Sequence, residues 1–175
     1  LVDGTGPGTG HDQITRTSSL TLAGTLNVTE MGSVPEGVYT IIQLSAGTIT
    51  GNFGSVVLPP CYTLQVNSTS VTVTRTLPVV TCPANSSVCI DATPFNLTGA
   101  TPGGGTYSGP GVSGNMFNPA TAGAGVKTIT YTYTAMDGCL NTCTFTITVT
   151  PTSIYYRDID GDGLGDPSNT IAACA

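Results

Sequence analysis

Val126-Lys-Thr-Ile-Thr-Tyr-Thr-Tyr-Thr134 sets Ile129, Tyr131 and Tyr133 on one side of an extended chain and Thr128, Thr130, Thr132 and Thr134 on the other. A period of two is the mark of a strand with one buried face. After the turn Asp137-Gly138 the alternation returns in Phe145, Ile147 and Val149, so the two runs are expected to pair as an antiparallel hairpin over a common core. Upstream, Pro94-Phe-Asn-Leu97, Gly103-Gly-Gly-Thr106-Tyr-Ser-Gly109-Pro-Gly-Val112 and Met116-Phe117-Asn-Pro119 supply shorter strands divided by tight turns. Short strands at this spacing predict a sandwich.

The same grammar extends to both sides. In Ile14 to Thr29, Leu20, Leu22, Leu26 and Val28 alternate with small polar residues, and further strands are expected at Val38 to Leu44 and Val56 to Leu58. Tyr62-Thr-Leu64-Gln-Val66 and Val71-Thr-Val73-Thr flank Asn67-Ser-Thr-Ser70, a hairpin pattern. Pro78 closes this block. Beyond residue 150, a lead-in strand from Ser153 to Arg157 runs into an acidic loop. The chain therefore reads as all-β, with domains at 1–78, 79–150 and 151–175.

Composition narrows the function. Only 8% of the residues are charged, against about 25% in ordinary soluble domains. The net charge is −6, with four Lys and Arg in all, too few for the basic face that a nucleic acid requires. No run of apolar residues is long enough for a membrane span. The opening at Leu1, without a signal peptide, reads as a processed or excised segment of a secreted protein. The six cysteines, Cys61, Cys82, Cys89, Cys139, Cys143 and Cys174, have no nearby histidine, since His11 is the only one in the chain. Disulfides are then expected in preference to zinc. They place the protein outside the cytosol, in the extracellular space or at a cell surface.

Nothing reads as an enzyme. A nucleophilic triad needs a base, and only His11 and Lys127 are on offer, neither within a catalytic motif. His11 beside Asp12 reads as a turn residue. The acids outside the C-terminal loop, Asp3, Asp12, Glu30, Glu36, Asp91 and Asp137, mostly adjoin Gly or Pro turns, not a catalytic floor. Gly103-Gly-Gly105 lacks the lysine and following helix of a phosphate loop.

The acidic loop is Asp158-Ile-Asp160-Gly-Asp162-Gly163-Leu-Gly-Asp166. Counted from Asp158, its aspartates fall at positions 1, 3, 5 and 9 of a calcium loop, Gly163 at the sharp turn and the Leu164 carbonyl at position 7. Four carboxylates this close repel one another unless a cation sits among them, and hard oxygen donors point to Ca²⁺. Position 12 holds Asn169 where an EF-hand has a bidentate glutamate. The segment, led by Tyr155-Tyr156-Arg157, resembles instead the aspartate-rich calcium repeats of thrombospondin type 3 and of bacterial surface proteins, which implies a calcium-stiffened linker.

Two further resemblances bear on architecture. His11-Asp12-Gln13-Ile14 with Leu20-Thr-Leu22-Ala-Gly24-Thr-Leu26-Asn-Val28 resembles the final rungs of parallel β-solenoids in autotransporter-like bacterial surface proteins. The first block is accordingly expected to be solenoid-like or a small β domain. Gly-Thr-Tyr-Ser-Gly-Pro-Gly-Val-Ser-Gly, Phe-Asn-Pro-Ala-Thr-Ala-Gly and Thr-Ile-Thr-Tyr-Thr-Tyr-Thr look like the tandem Ig-like modules of giant bacterial surface adhesins, which act as stalks or ligand-presenting spacers. That resemblance implies an Ig-like sandwich, a Cys89–Cys139 bond and, with it, Cys82–Cys143. Cys61 and Cys174 are left to join each other, a neighbouring molecule or a further module. The function so implied is a structural element of a surface fibre or adhesin stalk, self-associating head to tail through the weakly charged strands of 14–29. The alternative is a carbohydrate- or protein-binding module that stacks Tyr107, Tyr131 or Tyr133 on a sugar ring. Asn27, Asn67, Asn85 and Asn96 lie in Asn-x-Ser/Thr sequences and read as polar turn and strand-face residues that could carry glycans.

Overall fold

The computed structural model of the protein describes the backbone of residues 2–3 and all of 12–159 and 161–174; His11 and Asp160 lie outside these. Its described residues are nearly all β-strand and turn. The chain divides into two compact units, Leu1–Pro78 with Ala135–Leu140, and Val79–Thr134 with Asn141–Ala175. Residues 151–175 thus belong to the second unit and do not form a third. The tip of the expected hairpin, 135–140, belongs to the first.

The first unit opens with β1 (Val2–Asp3), β2 (Ile14–Arg16), β3 (Leu20–Leu22) and β4 (Thr25–Asn27). The next four strands repeat the course as β5 (Glu30–Met31), β6 (Gly37–Leu44), β7 (Ile49–Gly51) and β8 (Ser55–Val57). Each strand of the first set pairs in parallel with its counterpart: Val2 lies opposite Glu30, Ile14 opposite Ile42, Leu20 opposite Ile49, and Thr25 opposite Ser55. The second course of chain therefore pairs strand by strand with the first, with Ile14 on Ile42, Leu20 on Ile49 and Leu26 on Val56 as its apolar pairs. Leu22 is enclosed with Ile42, Leu44, Ile49 and Val71, while Val28 joins Val34, Tyr39, Tyr62 and Val73. The hydroxyls of Thr21 and Thr50 meet at 3.2 Å on the outside. The hairpin β9 (Tyr62–Val66) and β10 (Ser70–Arg75) covers the far side of β6, giving the sheet order β2-β6-β10-β9. Val71, Val73 and Tyr39 have no exposed surface, and each such side chain contributes about 1.5–3 kcal/mol of burial.

The second unit packs two sheets face to face. One has the order β11 (Ser86–Cys89), β17 (Leu140–Thr150), β16 (Gly125–Thr134), β13 (Thr106–Ser108); the other runs β12 (Phe95–Asn96), β15 (Met116–Phe117), β14 (Val112–Ser113). A single turn of helix, α1 (Pro119–Ala122), links β15 to β16 and is capped by Asn118, whose Oδ1 accepts from the Thr121 amide at 3.2 Å. Ile129, Phe145, Ile147 and Val149 face inward as their alternation requires, and Phe117 and Leu97 close over them from the other sheet. After β17 the chain continues into a two-stranded hairpin, β18 (Thr152–Arg157) and β19 (Asp166–Cys174).

Three disulfides tie the units internally: Cys61–Cys139, Cys82–Cys143 and Cys89–Cys174. Cys82 and Cys143 pair as the Ig-like resemblance implied, but Cys89–Cys139 and Cys61–Cys174 do not form. The reason is positional. The tip carrying Cys139 packs with the first unit, where Cys139 is 2% exposed and its Cα lies 4.7 Å from that of Cys61. Cys89, at the end of β11, stands opposite Thr150. The β18–β19 register sets Cys174 opposite Thr152, so the returning strand delivers its cysteine to the same end of the sandwich.

Candidate cation loop

The β18–β19 ladder holds its acidic loop at one end. Tyr155 faces Ile171, Tyr156 faces Thr170, and a register shift between Tyr156 and Arg157 then sets Arg157 opposite Asp166. Between them the chain doubles back through Gly161 (φ 77°) and Gly163 (φ 85°), a left-handed conformation that glycine adopts without steric cost. Asp158 organises the turn, since its Oδ1 accepts from the Gly161 amide at 2.7 Å and its Oδ2 from the Gly163 amide at 3.0 Å. Asp162 accepts from the Leu164 amide at 2.8 Å. Asp166 Oδ1 accepts from both the amide (2.8 Å) and the hydroxyl (2.7 Å) of Ser168. Those two bonds favour the ionised form and hold the Asp166 carboxyl below its ordinary value.

Of the residues expected to ligate a cation, Asp162, Leu164 and Asp166 line one open cavity of about 430 Å³ with Gly165 and Pro167. Asp158 sits at the root of the loop, oriented by the amides of Gly161 and Gly163. Asp160 lies outside the described residues. The carboxylates of Asp158, Asp162 and Asp166 do not gather as a set within 4.8 Å among the described residues. None of the three is ion-paired to Lys or Arg there. Each carboxylate oxygen carries two lone pairs, so one amide bond leaves it able to accept again. The donor set is all oxygen, which suits Ca²⁺ better than a softer ion. Among the described residues, the ligand atoms of Cys89, Asp91 and Cys174 do lie within 4.8 Å of one another. The two sulfurs are joined in a disulfide, which removes the thiolates a metal would need.

The tyrosines proposed for sugar stacking lie elsewhere in the fold. Tyr131 is 2% exposed; its hydroxyl donates to the Pro102 carbonyl and accepts from the Gly105 amide. Tyr107 packs on Tyr131 at 4.8 Å between ring centroids and meets Phe145 edge-on at 6.3 Å. Tyr133 is half-buried. These rings belong to the sandwich and offer no exposed row. Asn27, Asn67, Asn85 and Asn96 are exposed, and two of them bond within the chain. Asn67 Nδ2 donates to Ser70 Oγ, and Asn85 Oδ1 accepts from the Thr146 amide.

Three disulfides mark a protein made for an oxidising environment, and no helix of the described residues is long and apolar enough to cross a membrane. Compared with known protein families, with curated proteins and with solved structures, the chain matches none.

Proposed function

We propose that the chain is a structural segment of an extracellular surface protein, a stalk or spacer whose C-terminal hairpin is set by calcium. One observation carries this reading: a disulfide-anchored hairpin, Cys89–Cys174, presents a glycine-bent loop of aspartates that have no cationic partner among the described side chains. In the bound loop Asp158, Asp160, Asp162 and Asp166 supply carboxylate oxygens and Leu164 its carbonyl. Fixing those groups removes backbone freedom from a segment with little apolar cover, and the linker becomes a spacer of defined length. The adhesive alternative has less support, because Tyr131 is enclosed in the sandwich and Tyr107 is packed against it.

Calcium should raise the melting temperature of the chain, since a ligand at one hundred times its Kd stabilises the native state by about 2.7 kcal/mol. Asp158→Ala combined with Asp162→Ala should remove that gain. Identical melting curves with Ca²⁺ and with chelator would sink the calcium reading.

A further inference from the structure

The sheet β2-β6-β10-β9 ends at both sides in a strand with no further strand partner among the described residues. Successive residues of a strand turn their backbone polar groups to opposite sides. The Ser45 amide donates to the Arg16 carbonyl, so Arg16 and Ile14 address β6 and Thr15 turns its N–H and C=O outward. At the other end, the Asn67 amide donates to Ser70 and the Thr76 amide to Cys61. Tyr62, Leu64 and Val66 therefore turn their backbone groups away from β10. Neither edge is blunted in the usual way by Lys or Pro: β9 has no charged residue and β2 has only Arg16.

Direction decides what can join these edges. β2 runs parallel to β6, β10 antiparallel to β6, and β9 antiparallel to β10, so β9 and β2 point the same way. We infer that the β9 edge of one copy of this chain pairs in parallel with the β2 edge of the next, continuing one sheet through successive molecules. This rests on the structural reading above and names its partner as a second copy. A two-fold contact of β2 with β2 would leave β9 open, whereas the head-to-tail contact covers both. Height also selects the pair. β5, β7 and β8 end the other three ladders, and β10 and β9 extend only from β6, about 10 Å further at two strand spacings. Within the first unit β9 is thus the outermost strand of the longest ladder. Beside β2 lies a cavity of about 320 Å³ whose lining is mostly apolar, with Ile14, Leu26, Ile41 and Phe53 beside the polar Asp12 and Asn27. An added strand brings side chains to this apolar opening, and Val66, 40% exposed on β9, is one of them. Because the two surfaces differ, the contact is heterologous and propagates unless its rotation closes a ring.

Proline tests each edge separately, because it deletes an outward N–H without touching the inward ladder. Thr15→Pro should block the β2 edge and Val66→Pro the β9 edge. In sedimentation and light scattering, the unaltered chain should grow in mass with concentration beyond a dimer. Each variant alone should stay at monomer mass, and the two mixed should form a species of two chains that stops there. Circular dichroism and melting curves identify a variant that fails to fold; Gln65→Lys then replaces Val66→Pro, and Thr15→Lys replaces Thr15→Pro. A monomeric unaltered chain at high concentration, a closed two-fold dimer, or continued growth of both folded variants would overturn the inference. The calcium-dependent melting shift reads the spacer proposal independently, since a monomer that retains the shift loses only the assembly contact.

Discussion

Gly105 lies against the buried end of Tyr131. A methyl group there would come within 2.4 Å of the Thr132 carbonyl and 2.5 Å of the Tyr131 ring, so Gly105→Ala should cost about 1–3 kcal/mol through forced displacement. Tyr131→Phe removes the partner of both the Gly105 amide and the Pro102 carbonyl. Its expected cost is similar, about 1–3 kcal/mol, from the buried groups left without partners. Denaturant unfolding measures both. Tyr62 makes a pH prediction. Burial, then its hydrogen bond to Glu30 and the charge of that carboxylate, push the phenol well above its ordinary value. A raised folded-state pKa means a contribution fully present below the unfolded value and lost as pH climbs toward the folded one. The stability advantage of the unaltered chain over Tyr62→Phe should therefore shrink from about pH 10 upward, and denaturant midpoints through the alkaline range would show no such trend if the contact were unimportant.

At the scale of the element, the β18–β19 hairpin is the most dependent part of the fold. Ile154, Tyr155, Tyr156 and Ile171 remain 41–65% exposed, and two strands without a buried face are marginal on their own. The Cys89–Cys174 bond anchors them, so Cys89→Ser with Cys174→Ser should speed hydrogen exchange and proteolysis across 152–174 while leaving the sandwich core protected; equal protection in both forms would contradict this dependence. Strands elsewhere were legible in the sequence where one face is buried, as with Ile129 and Tyr131 in β16 or Phe145, Ile147 and Val149 in β17. The acidic loop was legible for another reason: Asp and Gly at alternate positions encode its turns directly, as the Asp158 bonds to Gly161 and Gly163 show. The parallel stacking was harder to read. Its partners lie 28–30 residues apart, as Ile14 and Ile42 or Thr25 and Ser55 do, and three-residue strands carry too little pattern to fix a register over that distance.

For the molecule as a whole, Cys82–Cys143 was anticipated, and the illegible part was the pairing of Cys61, Cys89, Cys139 and Cys174. Which partner Cys139 takes depends on the unit its turn packs against, and Asp137-Gly138 encodes a turn without encoding its destination. The resulting pairing has a mechanical consequence for a chain held at its two ends. Tension would follow the shortest covalent route, along the backbone to Cys61, across to Cys139, on to Cys143, across to Cys82, on to Cys89 and across to Cys174. About 100 of the 175 residues lie off that route, so at ~3.5 Å per residue roughly 350 Å of slack stays locked even when every strand has been pulled apart. Single-molecule stretching should release that length only after a reductant is added, and full extension without reductant would contradict the pairing. Under load the chain is a tether with a hard stop, and its reach is set by sulfur.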